Sequence, residues 1–210
     1  MDTEQNQLRE IEIKTDPETG LTNLKQGKTE VVAGIEGPVF GKRKPTIRVF
    51  LDPFERNSAG QNRASSLFLR SVFGEIIHQH SYPNTSLSIS IHPMRSDGSL
   101  LAAAANAAMA AVLEESLFCN GIHCAVSVCV GENGAVAADP DEEIEQNSLS
   151  RHTFVFKVQQ KDTDELVGCT SIGVFTEDQL LECYSAAKTA AEEVWRKMQT
   201  VFGHSQPSAG

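Results

Sequence analysis

The stretch SDGSLLAAAANAAMAAVL, residues 96–113, is dominated by alanine and carries one amide side chain, that of Asn106. Alanine has the highest helix propensity of the amino acids, so the stretch predicts a helix. Side chains that are small on every side predict a helix packed closely on several faces, and therefore one at the centre of the domain. Ser96 or Asp97 is expected to be its N-cap.

The segments before this helix predict strands and one further helix. The first three predicted strands are closely spaced, which favours antiparallel hairpins over helical crossovers. They lie at residues 9–14, 29–35 and 46–51. An apolar stripe at helical spacing predicts a helix over residues 63–80, and apolar residues that alternate with serines predict a strand at 85–92.

The segments after residue 113 predict a second group of strands and a long final helix. The predicted strands lie at residues 123–130, 135–138, 152–158 and 166–174. The final helix begins at Thr176, where Gln179 completes a capping-box pattern. Elements in this order predict an α+β fold, with mixed and antiparallel sheets packed against helices.

The boundaries of the fold can also be estimated from composition. Both ends of the chain are polar, and the last residues are rich in Ser, Pro and Gly. We expect an N-terminal tail at 1–7, a single domain over 8–203 and a C-terminal tail at 204–210.

Composition and charge argue against several functions. The formal net charge of −10 argues against indiscriminate nucleic-acid binding, because affinity for phosphates comes from Lys and Arg. No apolar run reaches the ~18 residues of a membrane span, and no secretory signal pattern occurs. The five cysteines contain no CxxC pair, and no P-loop or dinucleotide-binding motif is found. Neither a metal nor a cofactor is therefore expected.

Four motifs in one order resemble the signatures of the RNase PH family. The first is GKTEVVAGIEGP at residues 27–38, a Gly-x-Thr-x-Val run that ends in Gly-Pro. The second is SDGSLL at 96–101 with an Asn-Ala-Ala continuation, the third is ADP at 138–140, and the fourth is TEDQL at 176–180. The resemblance spans roughly residues 8–202.

This resemblance implies an RNase PH-like fold of the ribosomal protein S-five domain-two type. Within the family, the Gly-Ser-Leu-Leu-Ala form of the second motif resembles the ring subunits of the RNA exosome. The implied partners are other RNase PH-like subunits in a hexameric ring, cap subunits, an associated nuclease and RNA, with no membrane. The implied locations are the nucleus, the nucleolus and the cytoplasm.

Active members of the family cleave RNA from its 3′ end with phosphate as the nucleophile, and their phosphate loop carries an arginine. Gly98 and Ser99 keep the backbone amides and a hydroxyl of this loop, but Leu100 stands in the arginine position. Leucine cannot supply the fork of donors that arginine gives to a phosphate. Gly98 and Ser99 therefore either contact RNA or phosphate, or form only a tight entry to the helix.

Two charged residues also match family positions. Asp139 matches the first aspartate of the catalytic cluster, but no downstream aspartate completes the pattern, so we treat it as a degenerate acidic position. The acidic run 139–146 is expected to be a solvated helical turn. Arg70 matches an arginine that faces RNA and phosphate in active relatives. An ion pair or a subunit interface would also account for it.

Three functional hypotheses follow. The first is a noncatalytic exosome ring subunit, without catalytic residues, that supports 3′-to-5′ RNA processing and degradation and contacts RNA. The second is a phosphorolytic 3′-to-5′ exoribonuclease, or a nuclease, with residual activity of its own. The third is an unrelated binding protein. For the first hypothesis, the strands at 9–14 and 46–51 are candidates for open sheet edges, which invite pairing with another chain.

Overall fold

The computed structural model describes residues 8–41, 44–53, 59–158 and 165–202, with residues 59–62 described through their backbone alone. Both predicted tails, 1–7 and 204–210, lie outside the described residues. The strands are β1 (Ile11–Thr15), β2 (Thr22–Gln26), β3 (Thr29–Phe40), β4 (Thr46–Leu51), β5 (Thr85–Arg95), β6 (Ile122–Gly131), β7 (Val136–Ala138), β8 (Ser148–Val158) and β9 (Glu165–Gly173). The helices are α1 (Ala59–Ile76), α2 (Leu100–Glu114), α3 (Glu142–Gln146) and α4 (Glu177–Phe202), with a short 3₁₀ turn at Gln79–Ser81.

The first sheet has five strands in the order β1-β2-β3-β5-β4. Its first three strands are antiparallel, but β2, which the sequence did not predict, lies between the predicted strands at 9–14 and 29–35, so those two do not form a hairpin with each other. The expectation of hairpins alone is wrong for β4, which pairs with β5 in parallel after a crossover through α1. A parallel pair needs such a crossover, and α1 supplies it. β1 and β4 lie at the two edges, so both predicted edge strands are confirmed.

The second sheet has four antiparallel strands in the order β7-β6-β8-β9. Its first hairpin turns at Asn133, whose Oδ1 accepts a hydrogen bond from the Ala135 amide at 3.0 Å. Helix α4 covers the sheet through contacts with β6, β7 and β8. Its predicted capping box is confirmed, because the Thr176 amide donates to Gln179 Oε1 at 2.9 Å and the Gln179 amide donates to Thr176 Oγ1 at 3.3 Å.

Helix α2 lies between the sheets, as its composition predicts. It contacts β2, β3 and β5 of the first sheet and β6 and β8 of the second. Every residue from Ala102 to Val112 is buried. Small side chains on all faces allow this, because each sheet can approach the helix axis closely.

Three local expectations need correction. The N-cap position of α2 is Ser99, with a left-handed backbone and no capping hydrogen bond from its side chain, rather than Ser96 or Asp97. Strand β2 is not predicted by its sequence, since only Leu24 gives it an apolar character. Helix α1 ends at Ile76, and the chain continues into the 3₁₀ turn instead of a longer helix.

The Asn106 side chain forms hydrogen bonds with a part of β6 that strand β7 does not pair with. Strand β7 pairs only with Val128, Cys129 and Val130, so it does not reach Ala125. The Asn106 side chain bonds to both backbone groups of Ala125, donating to its carbonyl at 2.9 Å and accepting from its amide at 2.8 Å. The one amide side chain in the alanine-rich stretch therefore satisfies backbone groups that would otherwise be buried without partners.

No helix among the described residues is long and apolar enough to span a membrane.

The role of Asn106 can be tested by its removal. We expect Asn106→Ala to lower the free energy of unfolding by about 2–3 kcal/mol, because it leaves the Ala125 amide and carbonyl buried and unpaired. Urea denaturation monitored by circular dichroism measures this. Asn147→Ala, which removes a solvent-exposed amide that bonds to the Glu143 carbonyl, is the control and should cost less than about 0.5 kcal/mol. Equal effects of the two variants would contradict the bridging role.

Candidate functional site

A cleft of about 360 Å³ opens beside the amino terminus of α2. Its walls come from α1, the loop before α2, α3, β6, β8 and β9. Leu100 lies in its lining, in the position where the phosphate loop would need a cation. The second sequence motif therefore lies at a cleft, and a leucine occupies the position of the family's arginine.

Gly98 lines this cleft and Ser99 is buried next to it, and both are held tightly by neighbouring backbone. Gly98 has a φ of +79°, and a Cβ atom there would lie 2.4 Å from the carbonyl oxygen of Pro140. Ser99 is almost fully buried, and its hydroxyl donates to the same Pro140 carbonyl at 2.9 Å. Both residues therefore fasten the loop before α2 to the chain that leads into α3. A contact with RNA or phosphate stays a prediction for them.

Thr29 links two of the sequence motifs in space. Its hydroxyl donates to the Gly98 carbonyl at 2.8 Å and accepts from the Asp97 amide at 3.0 Å. The first motif, on β3, thus fixes the loop of the second motif through a side chain that is itself fully buried.

The Ser99 amide donates to Glu145 Oε2 at 2.9 Å. The other carboxylate oxygen of Glu145, Oε1, accepts from Arg151 Nη1 at 3.0 Å. A carboxylate of α3 therefore lies between the start of α2 and a guanidinium on β8. Sequence analysis missed both side chains, since no local pattern pairs residue 145 with residue 99 or identifies Arg151.

Asp139 is buried beside the cleft and is not part of its lining. Its carboxylate accepts from Arg9 Nε at 3.0 Å and Nη2 at 2.6 Å, from the Arg9 amide at 3.0 Å, and from Gln26 Nε2 at 2.7 Å. Arg9 also donates to the Asp97 carbonyl at 2.6 Å. These bonds connect the segment before β1, strand β2, the residue after β7 and the loop before α2. The expected solvated helical turn begins only at Asp141, which caps α3 through a 2.9 Å bond from the Ile144 amide.

Arg70 is not near the other predicted site residues. On α1 the cleft is lined by Ala64, Ser65 and Phe68. Arg70 is two residues from Phe68, about 200° around the helix, and its side chain is exposed. The structure therefore does not bring it together with Gly98 and Ser99, and its contact with RNA stays a prediction.

Burial disfavours the charged forms of two side chains in this region, His152 on β8 and Cys129 on β6. Burial lowers the pKa of His152, whose two ring nitrogens lie 3.0 Å from Ser150 Oγ and 2.8 Å from Ser171 Oγ. Burial, reinforced by the charge of Glu145, raises the pKa of Cys129 to about 11. A neutral thiol is a poor nucleophile. Among the described residues, no group of three or more His, Cys, Asp or Glu side chains is arranged to hold a metal ion.

Comparison with known proteins agrees with this geometry. The model of the RNase PH family, described as 3′ exoribonuclease family, domain 1, matches residues 7–115. The exosome complex component rrp46 of Schizosaccharomyces pombe is 26% identical over 87% of this chain and 84% of its own. The exosome complex exonuclease RRP46 homolog of Oryza sativa subsp. japonica is 28% identical over 96% of this chain and 94% of its own.

A solved structure shares the whole fold. The crystal structure of rice Rrp46 superposes with a TM-score of 0.87 at 26% identity, and the match covers 96% of this chain and 98% of the rice chain. The fold is therefore RNase PH-like, as the sequence motifs imply. With a family model that matches more than half of its residues and a fold shared along nearly its full length, the chain belongs to the RNase PH family of 3′ exoribonucleases.

Proposed function

We propose that the chain is a noncatalytic RNase PH-like subunit of the exosome core ring. It supports 3′-to-5′ RNA processing and degradation by completing the ring and contacting RNA. Its similarity to proteins named RRP46 exosome components, over most of both chains, supports the ring assignment. The proposed partners are other RNase PH-like subunits in a hexamer, cap subunits, an associated nuclease and RNA. The proposed locations are the nucleus, the nucleolus and the cytoplasm.

The observation that carries the noncatalytic part is the state of Asp139. A general acid, a general base or a metal ligand must reach the reacting group. The Asp139 side chain is 0% exposed, and Arg9 and Gln26 occupy its oxygens. Leu100 stands in the position of the phosphate-binding arginine, and Asp139 is not part of the cleft lining.

The open sheet edges support assembly with related chains. Among the described strands, β1 and β4 each have a neighbour on one side only, and an open sheet edge invites pairing with another chain. Phe50 on β4 adds a large apolar side chain that is 52% exposed. Two different edges suit a ring of non-identical subunits, because closed rings form through heterologous head-to-tail contacts.

Residual phosphorolytic or nuclease activity is the second candidate function. The cleft beside α2 favours it, because the helix amides of the family's phosphate loop persist there together with a guanidinium, that of Arg151. The rice relative is also named an exonuclease. Direct measurement of RNA decay separates this candidate from the first.

We expect the isolated chain to show no phosphate-dependent shortening of a 3′-labelled RNA, because Leu100 stands in the position of the phosphate-binding arginine. The assay compares decay with and without inorganic phosphate and uses an active RNase PH enzyme as the positive control. Turnover that requires phosphate and disappears in Arg151→Ala would establish the second candidate function instead.

We expect Asp139→Asn to act on stability, with a loss of about 3–5 kcal/mol, because it leaves the Arg9 guanidinium without its buried counter-charge. Asp141→Asn makes the same chemical change at the N-cap of α3, where asparagine caps equally well, and should be nearly neutral. Chemical denaturation of both variants measures the difference. If the Asp139→Asn protein were as stable as the parent, the structural role of Asp139 would be contradicted and a catalytic role would have to be considered again.

We expect the native protein to be isolated from cells with other RNase PH-like chains, and Phe50→Glu to weaken that association if β4 lies at a subunit contact. Val49 is a poor site for this test because it is buried, and a charge there would disturb the core. Leu181→Glu, on the exposed side of α4, is the matched control. Size-exclusion chromatography and mass spectrometry of affinity-purified protein provide the measurement. A native protein found only as a monomer would contradict the proposal.

A further inference from the structure

The start of α2 carries its own bound anion. A helix amino terminus attracts negative charge through its unpaired amides and its dipole, and a guanidinium beside it strengthens the attraction. Here the Ser99 amide and Arg151 Nη1, from two separate elements, donate to the two oxygens of one carboxylate. That carboxylate belongs to Glu145 of the same chain. Arg151 thus supplies a cation near the start of α2, and the Glu145 carboxylate already balances its charge.

We propose that Glu145 determines what the cleft admits, because its carboxylate closes the start of α2 to phosphate groups from outside. The inference rests on the proposed noncatalytic role and supplies a second physical reason for it, beyond the loss of arginine at position 100. The contact of the Glu145 carboxylate with the Ser99 amide and Arg151 can be removed by a single substitution.

An internal carboxylate competes strongly with a dissolved anion. The backbone around Glu145 is held on both sides, because the Ile144 amide bonds to Asp141 and the Ser148 hydroxyl donates to the Glu145 carbonyl at 2.7 Å. A tethered group has an effective concentration in the millimolar range or above, even with a flexible tether. Phosphate at millimolar concentration therefore cannot displace it efficiently.

The contact is nonetheless within reach of solvent. The Glu145 side chain is 25% exposed and that of Arg151 is 44% exposed. Removal of the carboxylate would leave the Ser99 amide and the guanidinium facing an open cleft of about 360 Å³. A guanidinium with a helix amide then offers a phosphate the same two donors that Glu145 uses now.

Comparison with Glu142 distinguishes the effect of the Glu145 contact from general electrostatic repulsion of anions. It also lines the cleft, on the same short helix, so it repels anions in the same region. Its carboxylate accepts a hydrogen bond from Gln146 Nε2 at 2.9 Å, and no bond joins it to Ser99 or Arg151 among the described residues. Removal of Glu142 therefore changes the net charge as removal of Glu145 does, and leaves the closed contact in place.

The experiment is a titration of the full-length chain with inorganic phosphate, with chloride used to keep the ionic strength constant. Binding is followed by the ¹⁵N–¹H shift of the Ser99 amide and by calorimetry. We expect Glu145→Ala to bind phosphate at least about tenfold more tightly than the parent chain, a gain of about 1.4 kcal/mol. Glu142→Ala should gain less than about twofold, and Glu145→Ala with Arg151→Ala should lose the gain.

Equal phosphate affinity in the parent and in Glu145→Ala would overturn the inference, as would an equal gain in Glu142→Ala. A gain that survives Arg151→Ala would overturn the assigned site. Thermal denaturation of each variant shows whether it is folded, and Glu145→Gln provides an isosteric alternative if Glu145→Ala is not. The titration needs no RNA and no turnover, so RNA decay by the parent chain would contradict the proposed function and leave this inference to be decided by the titration alone.

Discussion

The close packing of α2 between two sheets is the constraint on which the rest of the structure depends. Sheets separated by one helix can both contact it only if its side chains are short on every face, and the alanines of α2 meet that condition. This packing fixes the direction of the helix axis. It therefore also fixes where the amino terminus of α2, with the loop before it, meets α3 and β8.

The same packing explains why Asn106 is tolerated at the centre of an apolar helix. A buried amide would be costly without hydrogen-bond partners. Ala125 provides them, because β7 is too short to pair with its amide and carbonyl. The pairing also sets the position of α2 along β6, because only one register brings both atoms of the amide to both groups of the strand. The small residues allow α2 to approach both sheets closely, and the Asn106 amide fixes the position of the helix along β6.

The sequence predicted those parts of the fold that rest on local pattern. The alternation of Leu87, Ile89 and Ile91 with serines, the alanine-rich helix and the Thr176 capping box depend on neighbours along the chain. The parallel pairing of β4 with β5 could not be derived in this way, since strand direction depends on where α1 returns the chain. The N-cap was misplaced because Ser96 and Asp97 have the right chemistry, whereas the loop before α2 is held by contacts with residues far along the chain.

The candidate site shows the same division between local and distant information. Leu100 was identified from the motif alone, because a substitution at one position is visible in the sequence. The hydrogen-bond partners of two acidic residues could not be predicted from the sequence. Asp139 and Glu145 lie close together in the chain, yet one carboxylate is neutralised by Arg9 and the other by Arg151 and a helix amide. Arg9 and Ser99 come from distant segments, and Arg151, six residues after Glu145, matches no regular helix or strand spacing, so neither pairing has a local signature.

The steric environment of Gly98 has a consequence for how such chains are recognised. A side chain at this position would collide with the Pro140 carbonyl, whether or not any phosphate binds nearby. Packing alone is therefore enough to require a glycine at this position, whatever the activity of the cleft. A signature that began as part of an active site can thus outlive the activity, and its presence reports common ancestry more reliably than turnover.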